Sequence, residues 1–187
     1  MSALPPDAVL IIIDVQRAID HPSWGLRNNP GMEANIAALL DAWRGDRRPI
    51  IHVQHLSREP NSTYRPGQPG VEFKSEAAPL PGETILQKRT NSAFIGTDLE
   101  ERLHRAGRRT LVIAGVITNN SIEATARRAG NLGFDAIVVA DATATFGKTD
   151  YNGNPHPAED VHALSLANLS GEYARIMSTA EVLAALG

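Results

Sequence analysis

Three polar side chains sit at or just beyond the ends of candidate strands, and their types could share a reaction. Asp14 closes the run VLIII, Lys88 closes ETILQK, and Ser121 follows Leu111–Gly115 through the turn Val116–Ser121 (VITNNS). A carboxylate at the end of a buried strand loses solvation on one side, which raises its pKa unless a cation compensates. A lysine facing it would hold it ionised and ready to take a proton. A serine beside that base is a candidate nucleophile. Unpaired N–H groups at the start of the following helix could receive a developing oxyanion. Each residue also has an ordinary reading: Asp14 as a turn residue or helix cap, Lys88 as a solvated charge, Ser121 as an N-cap.

The histidines complete no motif. His52 and His55 are three apart around a strand end, which does not put them on one face. No H-x-E, HExxH or paired-cysteine pattern occurs, so no metal site is expected. His52 is expected in or beside the core and His55 beside the site. His21, His104, His156 and His162 are expected at the surface. No GxGxxG, P-loop or G-x-S-x-G is present.

These residues need a scaffold that gathers strand ends. Short β-branched runs alternate with helical periodicity. Ala8–Val15, Pro49–Gln54, Glu83–Lys88, Arg109–Gly115, Asp135–Ala140 and Tyr173–Met177 read as strands. A helix carrying Met32, Ile36, Leu39, Leu40 and Trp43, then Asp98–Ala106, Asn120–Ala129, Pro157–Leu169 and Ala180–Leu186, read as helices. Thr97 with Glu100 reads as a capping box before the second helix, and Gly107 as its stop. Ser57–Gly82 is a long irregular stretch of the kind that usually carries function. The alternation predicts an α/β fold: a three-layer, Rossmann-like sandwich with a mostly parallel six-stranded sheet, order 3-2-1-4-5-6, and helices on both faces. Ligands bind such sheets at the carboxyl ends of the strands.

The chain has 187 residues, 42% hydrophobic and 21% charged, with a formal net charge of -3. That length fits one domain with a full core. No block of like charge points to nucleic acid or a membrane surface, and no apolar run approaches the roughly 18 residues of a membrane span. Met1–Asp7 does not read as a signal peptide, so the cytoplasm is the expected compartment. The absence of cysteine excludes disulfides and any thiol nucleophile.

Taken in order, four segments resemble the isochorismatase-like (cysteine hydrolase) family. They are IIIDVQ (Ile11–Gln16), KRTNSAFIGTDLEERL (Lys88–Leu103), LVIAGVITNNSIEATARRAGNLGFDAIVVADATATF (Leu111–Phe146) and PAEDVHALSLANL (Pro157–Leu169). The resemblance covers nearly the whole chain and implies a single hydrolase domain over 1–187. It implies an Asp/Lys/Cys triad, with Asp14 and Lys88 matching and Ser121 on the cysteine's position. It also implies a cis peptide between Val116 and Ile117, with the Ile117 and Ser121 N–H groups as oxyanion hole. Three readings of Ser121 stand open: an engineered replacement of cysteine, a natural serine, or a member that needs no nucleophile.

The implied activity is cleavage of a C–N bond in a small amide, carbamoyl or cyclic imide substrate. The alternatives are a vinyl ether hydrolase using Asp14 as acid, and a non-catalytic binder that keeps the fold. Gln16, Trp24, His55, Tyr64, Phe73 and Asn119 are the expected substrate contacts. The nicotinamidase branch carries a metal site of the form Asp-x-His; the comparable Val53-Gln54-His55 lacks the carboxylate. No cofactor is expected. The expected partners are a small-molecule substrate and further copies of the chain, as a dimer or tetramer, with neither nucleic acid nor membrane.

Overall fold

β1 (Val9–Ile13) owes its central place to five consecutive apolar residues, all buried. A strand covered on both faces must be apolar at every position, because alternate side chains enter opposite layers. Leu10 and Ile12 enter one core with Met32, Ile36, Leu39, Leu40 and Trp43; Val9, Ile11 and Ile13 enter the other with Leu99, Leu103, Ile122, Ala126 and Ala129. The computed structural model describes residues 3–186.

Flanking β1 in the parallel sheet are β2 (Ile50–His55), β3 (Thr84–Lys88), β4 (Thr110–Val116) and β5 (Asp135–Ala144). A two-strand ribbon, β6 (Lys148–Thr149) with β7 (Pro155–His156), precedes the last sheet strand, β8 (Arg175–Met177). The sheet order is β3-β2-β1-β4-β5-β8, the expected order once the ribbon is counted. Helices α1 (Met32–Gly45) and α5 (Thr179–Ala184) cover one face; α2 (Leu99–Arg105), α3 (Glu123–Asn131) and α4 (Ala158–Leu169) cover the other. No helix among the described residues is long and apolar enough to cross a membrane.

Local chemistry explains where the expectations fail. The helix expected from Asn120 instead opens with a π turn, Thr118–Ile122, before α3. The expected capping box before α2 does not form: Asp98 is the N-cap, without a side-chain cap bond. Thr97 Oγ1 accepts the Leu99 N–H and donates to the Ala93 carbonyl, an ST-type turn in place of a reciprocal cap. Gly107, at φ 65, ends α2 as expected.

Gly115 deserves its glycine. At φ +121, a Cβ there would lie 2.1 Å from the Ile13 carbonyl oxygen. Its absence lets β4 close on β1 one residue before Asp14 and three before the π turn. The strand ends that carry Asp14 and Ser121 are thereby pressed together.

Candidate active site

Asp14 is the first residue beyond β1 and has φ 56, a left-handed conformation that Asp tolerates better than most residues. Its N–H donates to the Val53 carbonyl at 2.9 Å, and its carbonyl accepts the Tyr64 hydroxyl at 3.0 Å. The backbone is thus held from both sides while the carboxylate turns inward, 4% exposed.

Lys88 ends the edge strand β3, where alternate positions face inward, and it is 1% exposed. Its Nζ donates to Asp14 Oδ2 at 2.6 Å, to the Thr90 carbonyl at 3.1 Å and to Ser121 Oγ at 3.1 Å. Those three bonds use all three ammonium protons. Ser121 Oγ in turn donates to Asp14 Oδ2 at 2.7 Å. One carboxylate oxygen therefore receives both the ammonium and the hydroxyl. The other, Oδ1, is buried and has no partner among the described residues.

Burial pushes the Asp14 carboxyl above the ordinary carboxylate range; the Lys88 charge and hydrogen bond, and the Ser121 hydroxyl, oppose that rise without cancelling it. A carboxylate of raised basicity beside a hydroxyl is better suited to take its proton.

Ser121 does not cap a helix, as its spacing alone suggested. It lies inside the π turn, 6% exposed, with its hydroxyl committed to Asp14. Extra residues in such turns re-aim side chains and are frequent at functional sites. The Val116–Ile117 peptide is cis. The Ile117 carbonyl accepts the Asn120 and Ile122 N–H groups.

The other expected contacts divide. Trp24 stacks on Phe146 at 5.2 Å and donates to the Ala18 carbonyl and Thr63 Oγ1. His55 packs edge-on to Tyr64, with ring centroids 5.4 Å apart. Burial, then the Lys88 charge, lower its pKa to about 4, so it is neutral at neutral pH. Its Nδ1 is buried without a partner among the described residues. Asn119 accepts the Thr145 hydroxyl at 2.6 Å through its carboxamide oxygen.

Gln16 is structural rather than a free contact. Its amide bridges both His55 backbone groups and the Val71 carbonyl, tying the long loop to β2. Tyr64 likewise spends its hydroxyl on the Asp14 backbone. Phe73 packs edge-on to His52, which is buried against Glu83, and so supports the flank beside α1.

His162 was expected at the surface. It is instead half-buried, with Nδ1 2.9 Å from Thr118 Oγ1. It props the π turn from α4. Its spacing with Ala158, Ser165 and Leu169 was the available clue, since those positions share one helical face. Among the described residues, no three His, Cys, Asp or Glu side chains lie together as a metal-holding group.

The model of the isochorismatase domain matches residues 8–181. The chain belongs to the isochorismatase family. Members of this family are hydrolases, and the six-stranded parallel sheet flanked by helices matches that family's fold. YrdC of Bacillus subtilis, an isochorismatase family protein, is 42% identical over 174 residues, covering 93% of each chain. Nicotinamidase 3 of Arabidopsis thaliana is 26% identical over 183 residues, covering 91% of this chain and 84% of its own. Among solved structures, a protein of the isochorismatase family from Chromobacterium violaceum superposes with a TM-score of 0.97 at 55% identity, covering 100% of this chain and 97% of that one.

Proposed function

We propose that this isochorismatase-family protein hydrolyses a C–N bond in a small amide, carbamoyl or cyclic imide compound. The observation that carries the reading is the position of Ser121 Oγ, 2.7 Å from Asp14 Oδ2 and 3.1 Å from Lys88 Nζ. Support for an amide-type bond comes from the similarity to a nicotinamidase.

In this reading Ser121 Oγ attacks the carbonyl carbon as its proton passes to Asp14 Oδ2. Lys88 donates to both oxygens and limits the charge that either must carry. The Ile117 and Ser121 N–H groups receive the oxyanion. The C–N bond then breaks, and Asp14 returns the proton to the departing nitrogen. Water attacks the resulting ester, gives a proton to Asp14, and Ser121 Oγ leaves and is reprotonated. Trp24, His55 and Asn119 are the side chains assigned to substrate contact.

A second reading rests on the raised pKa of Asp14. A carboxyl that holds its proton more readily can act as a general acid on a vinyl ether, with Ser121 a spectator. A panel of amides, carbamoyl compounds, imides and vinyl ethers separates the two. The proposal expects Ser121→Ala to lose C–N cleavage, Ser121→Cys to raise it, and Asp14→Asn to lower kcat by about 10²–10⁴-fold. Vinyl ether cleavage unaffected by Ser121→Ala would replace it with the second reading. Binding without turnover in every form would make the chain a non-catalytic member.

A further inference from the structure

At the opposite end of the sheet from Asp14, where β1, β2 and β3 begin, lies a cleft of about 880 Å³. Its lining includes six arginines: Arg44, Arg47, Arg48, Arg102, Arg105 and Arg108. Two have structural work. Arg44 binds Glu83 and the Ala78 carbonyl, and Arg48 binds the Pro5 and Leu186 carbonyls. The remaining four are available. Arg102 and Arg105 pair with Asp98 and Glu101 on the solvent side of α2, and such exposed pairs exchange partners at little cost. Arg47 and Arg108 have no carboxylate partner among the described residues; Arg108 donates only to the Asp7 carbonyl, at 3.3 Å.

Arg47 occupies a position that chain stability would give to another residue. It follows the C-terminus of α1 at φ 55, with its N–H bonded to the Arg44 carbonyl and that of Arg48 to the Trp43 carbonyl. That left-handed position after a helix usually falls to glycine. An arginine there sacrifices backbone comfort and places a guanidinium at the cleft's rim. Between the arginines the wall is mixed: Val9, Ile50 and Leu103 form an apolar strip, the half-exposed Leu80 lies alongside, and Thr84 and the Glu83 carboxylate also line the cleft, Glu83 being neutralised by its bonds to Arg44.

We propose that this cleft is a second ligand site, for a phosphate-bearing organic anion of nucleotide size. Planar guanidinium forks match phosphate oxygens in pairs, and an apolar strip favours a ring over bulk water. The volume is that of an ordinary small-molecule site. No residue of the Asp14–Lys88–Ser121 group belongs to it.

Isothermal titration calorimetry on the full chain tests the proposal, with adenosine diphosphate, inorganic pyrophosphate and adenosine as probes. Adenosine diphosphate is expected to bind with salt-sensitive affinity, more tightly than pyrophosphate, and adenosine to give no heat. Arg47→Gly is expected to weaken the diphosphate by about tenfold, the loss of one charge-assisted bond. The same change should raise the melting temperature, because glycine relieves the left-handed backbone. Asp14→Asn should leave the affinity unchanged. No binding at millimolar diphosphate, equal binding of pyrophosphate and diphosphate, wild-type affinity in Arg47→Gly/Arg108→Ser, or loss of binding in Asp14→Asn would each overturn it.

Discussion

Replacing Lys88 with methionine isolates the pair at the centre of the site. At 2.6 Å and an effective dielectric of about 20, the Coulomb attraction is about 6 kcal/mol. Removing one partner of such a buried pair typically costs about 3–5 kcal/mol, since the other charge is left in a poor medium. Asp14 has an escape: it can fold protonated. With an unfolded pKa near 3.9, neutralising it at pH 7 costs about 4 kcal/mol, and at pH 5 about 1.5 kcal/mol. The cost of Lys88→Met is therefore limited to about 4 kcal/mol at pH 7 and shrinks as pH falls. The sign follows from proton counting. The variant's folded state binds a proton that the unfolded state has released, so its stability declines as pH rises. In a chain of this size the loss at pH 7 lowers the melting temperature by about 6–16 °C. Urea unfolding at pH 5, 6 and 7 measures the slope. Asp14→Asn/Lys88→Met, which has no carboxylate to neutralise, should lose that slope; asparagine also tolerates φ 56. A Lys88→Met penalty below about 1 kcal/mol at pH 7, or one independent of pH, would refute the buried-pair reasoning.

Four further outcomes follow from the structure. The acid limb of kcat/KM is expected above the ordinary carboxylate range, because Asp14 must be ionised and burial raises its pKa; activity is full above that limb and falls as pH drops through it. His55→Gln should leave the limb in place, since His55 protonates only near about 4. Gly115→Ala should destabilise by about 3 kcal/mol or more in thermal or urea unfolding and depress activity, because its Cβ would strike the Ile13 backbone and part Asp14 from Ser121. At the far end of β3, burial raises the pKa of Glu83, but the Arg44 bonds, the Leu80 N–H and His52 together outweigh it and bring the value to about 2. Its stabilisation is present above the unfolded glutamate pKa and is lost as pH falls towards about 2, so Glu83→Gln should flatten acid unfolding over that window.

The centre of the parallel sheet was legible because β1, β4 and the first half of β5 are runs of apolar residues, a pattern that leaves few alternatives. Asp14 was legible as a charge closing such a run, and Lys88 as a charge closing a short candidate strand whose alternate positions face inward. Ser121 could not be separated from a helix cap, since a serine before α3 reads alike whether the chain opens in an α or a π turn. Gln16 and Tyr64 were placed near the site, but nothing local says that their polar groups are spent on the His55 and Asp14 backbones. Those bonds span 39 and 50 residues, and only the folded loop brings the partners together. The ribbon of β6 and β7 has two residues per strand, too few for any periodicity to register. His162 fell on a helix of weak amphipathic pattern, where Leu164 is exposed and Ser165 is buried.

The account depends on Ser121 forming a covalent bond to the substrate's carbonyl carbon. Intact-mass and peptide mass spectrometry of enzyme quenched in acid during turnover of an amide or imide reads this directly. The expected result is an acyl adduct on the peptide carrying Ser121, absent in Ser121→Ala. Product formation with no adduct, and with Ser121→Ala turning over as fast as the parent, would contradict it.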